Sequence, residues 1–129
     1  MLPPAAVISG VAGRCLTDPG DSALSGTRIE ITACTGSRSQ RWVRERGGAL
    51  RIRGMCLNVA RGGLKDGAAV ELAGCSHSTS QQWFSGPGGE LLNGNSGRCL
   101  ADPASARADG TRLTQQDCYG EPGEIWTVS

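Results

Sequence analysis

The sequence repeats itself three times. Cysteines stand at positions 15, 34, 56, 75, 99 and 118, so the two members of each successive pair are nineteen residues apart. A tryptophan follows each second cysteine by eight: Trp42, Trp83 and Trp126. The offset between copies is 41 residues, then 43. Each copy opens on Gly-x-Cys-Leu, at Gly13–Leu16, Gly54–Leu57 and Gly97–Leu100. Gly26, Gly67 and Gly110 stand eleven after the first cysteines, and Gln40, Gln81 and Glu124 two before the tryptophans. One Gln-x-Trp carries no signal. Three of them, in register with three equal cysteine spacings, carry a strong one, because every offset had an independent chance to fail. No single copy has enough apolar surface to bury its own tryptophan, so three units must share one core around a pseudo-threefold axis.

Glycine makes up 20 of 129 residues, about twice the usual share. Each glycine inside a helix costs about 1 kcal/mol, which disfavours a helical bundle and favours a turn-rich all-β chain. Strand patterning agrees. Before each second cysteine the chain alternates: Arg28–Thr32, Ala69–Ala73 and Arg112–Gln116. Period two predicts a strand with one face buried. The buried positions are Ile29 and Ile31, Val70 and Leu72, then Leu113 with Gln115, where the third copy is half broken. Gly47-Gly48 and Gly88-Gly89 predict hairpins between copies. In the third copy Trp126–Val128 is expected to close the circle against Ala6–Ile8. This gives about four strands per copy and about twelve in all. We expect one domain over 1–129, with repeats near 6–47, 48–88 and 89–129. Trp42, Trp83 and Trp126 are assigned to its core.

Six cysteines occur without a C-x-x-C, and His77 is the only histidine. Zinc fingers and redox dithiols are therefore poorly supported, and disulfides are the better reading. Six cysteines allow fifteen connectivities, and arithmetic alone leaves cross-repeat pairs open. Equal spacing favours Cys15–Cys34, Cys56–Cys75 and Cys99–Cys118, each stabilising by roughly 3 kcal/mol through loop closure. Disulfides imply a secreted protein, although Met1–Ile8 lacks the basic region and the apolar length of a signal peptide. No apolar run is long enough for membrane insertion. Thirteen Lys and Arg against twelve Asp and Glu give no global field for holding nucleic acid. Twelve arginines against one lysine suggest GC-rich coding. No nucleophile elbow, P-loop or metal-ligand pattern is present, so catalysis, cofactors and metals are not expected. One charge feature is uneven. Arg38, Arg41, Arg44, Arg46, Arg51 and Arg53 are opposed only by Glu45. The plain reading is a solvated hairpin face, and the sharper one is a patch for sulfated or uronic glycans.

The threefold Cys-Leu opening, the cysteine spacing and the Gln-x-Trp box resemble the ricin B-type β-trefoil, also described as family 13 carbohydrate-binding modules. The resemblance covers roughly residues 6–129. It implies a β-trefoil with one disulfide per repeat and up to three shallow pockets for galactose-, xylose- or arabinose-type units. Many bacterial relatives are targeting modules fused to a catalytic domain, and trefoils of this size are often monomers. The family's pocket uses a carboxylate two after the first cysteine, a polar residue four before the second, and an aromatic two before it. It adds Asn and Gln at three and two before the tryptophan. Those positions hold Thr17, Glu30, Thr32, Ser39 and Gln40 in the first repeat. They hold Asn58, Glu71, Ala73, Ser80 and Gln81 in the second, and Ala101, Thr114, Gln116, Gly123 and Glu124 in the third. No repeat has the aromatic, and none has the carboxylate in its usual place.

Asp18 and Asp102 stand one position later, in Asp-Pro sequences that also suit turns. The sugar-binding candidates are therefore Asp18, Glu30 and Gln40; Asn58, Glu71 and Gln81; and Asp102, Gln116 and Tyr119, the last offering a displaced stacking ring. The first repeat ranks first among them. A non-catalytic lectin or carbohydrate-binding module is the leading expectation. The rival is a trefoil that has lost sugar binding and serves as a protein-interaction or inhibitory module.

Overall fold

The computed structural model describes residues 5–129, so the first four residues of the Met1–Ile8 opening lie outside the described residues. The first unit forms β1 (Ile8–Ser9), β2 (Cys15–Thr17), β3 (Glu30–Thr32) and β4 (Val43–Arg44). The second forms β5 (Leu50–Ile52), β6 (Met55–Val59), β7 (Val70–Gly74) and β8 (Trp83–Ser85). The third forms β9 (Leu91–Asn93), β10 (Cys99–Ala101), β11 (Thr111–Arg112), β12 (Thr114–Gln116) and β13 (Thr127–Val128). Twelve strands become thirteen because the third unit's inner strand divides at Leu113. Short 3-10 turns link the strands, and no α-helix forms among the described residues.

Two sheets run β4-β5-β6-β7 and β12-β10-β9-β8; a third, β11-β3-β2-β1-β13, joins the two ends of the chain. In that third sheet Ile8 pairs with Val128 and Ser9 with Thr127, which closes the circle.

The residues five before each second cysteine meet around the axis. The Ile29 N–H donates to the Val70 carbonyl (3.1 Å), Val70 to Leu113 (3.2 Å) and Leu113 to Ile29 (2.9 Å). All three side chains are fully buried. A second ring surrounds the first. Gly26 donates to Leu72, Gly67 to Gln115 and Gly110 to Ile31, at 2.7–2.9 Å. These glycines hold φ of 90°, 85° and 87°, a region that L side chains occupy at a cost. The recurrent glycine is thus the residue that turns each unit's chain onto its neighbour's strand.

The tryptophans explain the Cys-Leu opening. Each indole Nε1–H donates to the carbonyl of the leucine after the first cysteine: Trp42 to Leu16, Trp83 to Leu57, Trp126 to Leu100, at 2.9–3.1 Å. The ring is buried while its one donor is satisfied. Three disulfides close within units, Cys15–Cys34, Cys56–Cys75 and Cys99–Cys118. The half-broken third strand is also accounted for. Gln115 takes the inward position of Ile31 and Leu72 and is fully buried. Its amide donates to the Gly63 and Lys65 carbonyls and accepts from the Ser96 hydroxyl, so its polar atoms carry no desolvation debt.

Candidate functional site

The box residue before each tryptophan braces a loop. Gln40 is buried, and its Oε1 accepts the Thr35 and Gly36 N–H groups. Its Nε2 donates to the Ala33 carbonyl and to the hydroxyls of Thr17 and Thr32. Gln81 repeats the pattern, accepting from Ser76 N–H and donating to the Gly74 carbonyl, both at 2.9 Å. Glu124 accepts from Tyr119 and Gly120 N–H, at 2.7 and 2.9 Å. It carries no N–H of its own to return. Its second oxygen meets only Gln116 Nε2, at 3.4 Å.

The position three after the first cysteine holds Asp18, Val59 and Asp102, all fully buried. The Asp18 carboxylate accepts from Ser22 Oγ (2.6 Å) and from the Ala23 N–H (2.8 Å), so it ties the turn that follows it. Neither oxygen of Asp102 has a hydrogen-bond partner. Burial pushes its carboxyl from 3.8 up to about 6, partly offset by the nearby Ala106 amide, which lies outside hydrogen-bonding geometry. Asp21, just beyond Asp18, shifts the other way. Desolvation pushes its carboxyl up, but hydrogen bonds and charge from Arg38 and then Arg53 outweigh that and hold it below the usual range.

Which polar groups remain without a partner differs between units. In all three, the residue two after the first cysteine lies opposite the one four before the second: Thr17 with Glu30, Asn58 with Glu71, Ala101 with Thr114. In the first unit the Thr17 and Thr32 hydroxyls lie 2.8 Å apart and share the Gln40 amide, so the network is spent on itself. In the second unit the Ser80 hydroxyl donates to Asn58 Oδ1 at 2.9 Å. The Asn58 Nδ2 donor pair and the Glu71 carboxylate next to it make no side-chain hydrogen bond among the described residues. In the third unit Ala101 offers nothing polar. A Cβ on Gly123 would lie 2.3 Å from the Asp102 carbonyl oxygen, so no longer side chain fits there. Tyr119 is exposed, its hydroxyl 3.4 Å from Asp117 Oδ2.

Of the candidates, Asn58 and Glu71 are brought together on one face. Glu30 faces Thr17 from the neighbouring strand, half-buried. Asp18, Gln40, Gln81 and Asp102 are enclosed, Asn58 is buried beside the half-buried Glu71, and Gln116 leans on Glu124. Sequence reasoning ranked the first unit above the second because it counted carboxylates and amides without counting their backbone partners. It also missed a groove of about 280 Å³ between the β4–β5 hairpin tip and the loop after Cys75, lined by Glu45, Arg46, His77, Ser78 and Gln82. No group of three His, Cys, Asp or Glu able to hold a metal occurs among the described residues.

The family model described as the ricin-type beta-trefoil lectin domain matches residues 5–127. A designed threefold-symmetric protein, ThreeFoil, superposes with a TM-score of 0.92 at 24% identity, over 96% of each chain. The C-terminal half of an earthworm R-type lectin, solved in complex with GalNAc, superposes at 0.84 and 14% identity over 98% of each chain. An exo-β-1,3-galactanase from Clostridium thermocellum superposes at 0.86 and 18% identity, over 99% of this chain and 31% of that one. No curated protein sequence matches the chain.

Proposed function

Since the chain belongs to the ricin-type β-trefoil lectin domain family, a carbohydrate-binding fold, we propose that it is a non-catalytic lectin or carbohydrate-binding module for galactose-, xylose- or arabinose-type glycans, with its working pocket in the second unit. One observation carries this reading: Asn58 and Glu71 stand in register on adjacent strands with unspent donors and acceptors. A vicinal diol needs both, since each hydroxyl gives and takes one hydrogen bond. The binding is weak. Ala73 stands where the family places a stacking ring, and exchange of hydrogen bonds with water does not replace buried aromatic area. Multivalent display, or fusion to an enzyme acting on an insoluble polysaccharide, compensates through effective concentration. The trefoil over 1–129 (units near 6–47, 48–88 and 89–129) is proposed to act as a secreted monomer or as a module beside a catalytic domain. Three disulfides and the partial overlap with the galactanase chain support that setting.

A glycan array at high protein density, followed by titration of the best neutral ligand, tests the reading. Asn58→Ala and Glu71→Gln are each expected to weaken binding at least tenfold; Glu71→Gln is expected to leave the melting temperature nearly unchanged, and Asn58→Ala to lower it by removing the acceptor of the Ser80 hydroxyl. Ala73→Tyr is expected to strengthen it. Undiminished binding in both loss variants would remove the second unit from the site. The absence of a stacking ring in every unit favours one rival, a trefoil turned to protein contacts. Silence on the array together with capture of a defined protein partner would establish it.

A further inference from the structure

The arginine-rich segment does not form one cationic face. Arg38 and Arg53 converge on Asp21, Arg51 pairs with Glu45, Arg44 donates to Ser85 Oγ, and Arg41 to the Gly36 carbonyl. Arg46, at the hairpin tip, has no such partner among the described residues. It borders the groove of about 280 Å³ that His77, Ser78, Gln81 and Gln82 also line, together with Cys56 and Cys75.

His77 stands two after the second cysteine, where the other units place Gly36 and Gly120. All three positions have positive φ: 73°, 61° and 76°. Glycine adopts that conformation freely and an L side chain does not. The second unit therefore holds an imidazole where the fold asks for glycine, and that imidazole makes no hydrogen bond among the described residues. The equivalent junction between the second and third units has Gly86–Gly89 at its hairpin tip and Gly120 opposite. The cation and the imidazole occur together only at the first junction.

Resting on the carbohydrate-binding reading, we propose that this groove holds the acidic substituent of a glycan, a uronate carboxylate or a sulfate ester, between Arg46 and His77. It adjoins the second-unit pocket through Gln81, whose amide is held by Ser76 and Gly74, while Asn58, Glu71 and Ala73 do not line it. Arg51 occupies the Glu45 carboxylate at the rim (2.9 Å), which leaves the guanidinium, the imidazole and the Gln82 amide as donors. Guanidinium geometry matches planar and tetrahedral oxyanions bidentately. The volume lies at the low end for ligand sites and suits a single sugar residue.

The test is calorimetric titration with three oligosaccharides of equal length: neutral galactan, oligogalacturonate and sulfated galactan. Wild type is compared with Arg46→Ala, His77→Gly, Asn58→Ala and the remote control Arg107→Ala. At least one acidic ligand is expected to bind about tenfold tighter than the neutral one, and which of them does identifies the anion. Arg46→Ala is expected to abolish that advantage. His77→Gly is expected to reduce it severalfold while the melting temperature holds or rises, the opposite of what a merely structural histidine would do. Arg107→Ala is expected to change nothing, and Asn58→Ala to weaken neutral binding while sparing the acidic advantage. Neutral binding without an acidic advantage, or an advantage cut equally by Arg107→Ala, overturns the groove and leaves the lectin reading standing. Absence of all glycan binding overturns both.

Discussion

Asp18 and Asp102 occupy one position in two copies of the same unit, and both are sealed from solvent. After Asp18 the chain folds back. Ser22 is helical and Ala23 left-handed at φ 49°, so a hydroxyl and an N–H both point at the carboxylate. After Asp102 the chain leaves extended, Ala106 having ψ 149°, and both oxygens are stranded. Val59 fills the same place in the second unit with no polar atom at all. The fold therefore requires volume there. A carboxylate contributes only where the next turn returns donors to it, and otherwise it costs.

The largest effect is expected from making the third unit like the second. A carboxyl whose native pKa lies above its unfolded value destabilises the fold in its charged form. The penalty is absent below about 3.8, grows as pH rises and is complete above about 6. That displacement corresponds to about 2–3 kcal/mol. Asp102→Val is expected to raise the melting temperature by roughly 10 °C at pH 8 and to change it little near pH 4, where the native side chain is already neutral. An equal gain at both pH values would mean that packing, not charge, separates the variants. Making the first unit like the third is the next test. Asp18→Ala strands the Ser22 hydroxyl and the Ala23 N–H and is expected to cost about 1–3 kcal/mol, read as a lowered denaturation midpoint with unchanged slope. A variant as stable as wild type would show the turn holds without its carboxylate.

This pair also marks how far the sequence could be read. Cysteine spacing, the Gln-x-Trp box and period-two strands were legible because each is a local pattern repeated three times, and repetition removes accident. The roles of Gly26, Gly67 and Gly110 were visible only as a fixed offset; that they donate across units required the second ring of hydrogen bonds. The site was less legible. Asp18 and Asp102 read alike in Cys-Leu-x-Asp-Pro, and their difference lies four and five residues on, in Ser22 against Ala106 and in the turn of the backbone there. Likewise Gln40 and Asn58 both offered an amide, but only the loop geometry shows that Gln40 is spent on Thr35, Gly36 and Ala33 while the Asn58 donors are not. His77 stood out in the sequence only as the single histidine; its backbone angle places it among glycines.

The smallest effect tests the same comparison at the box. Gln40 and Gln81 each return a donor to the carbonyl before the second cysteine, Ala33 and Gly74. Glu124 has none to return, yet it accepts two backbone N–H groups while fully buried. Bonds to a charged acceptor are stronger than bonds to a neutral one, so the carboxylate recovers in its two good bonds part of what it forfeits on the other side. Glu124→Gln is expected to gain only about 0.5–1 kcal/mol. The reverse exchange, Gln81→Glu, removes a bond to the Gly74 carbonyl and is expected to lose about 1–2 kcal/mol. Denaturant midpoints at one pH compare the two. A loss in Glu124→Gln would show that the third unit's loop, with Tyr119 and Gly120 aimed at one oxygen, is built around a charge, and that its departure from the box is an adaptation and not decay.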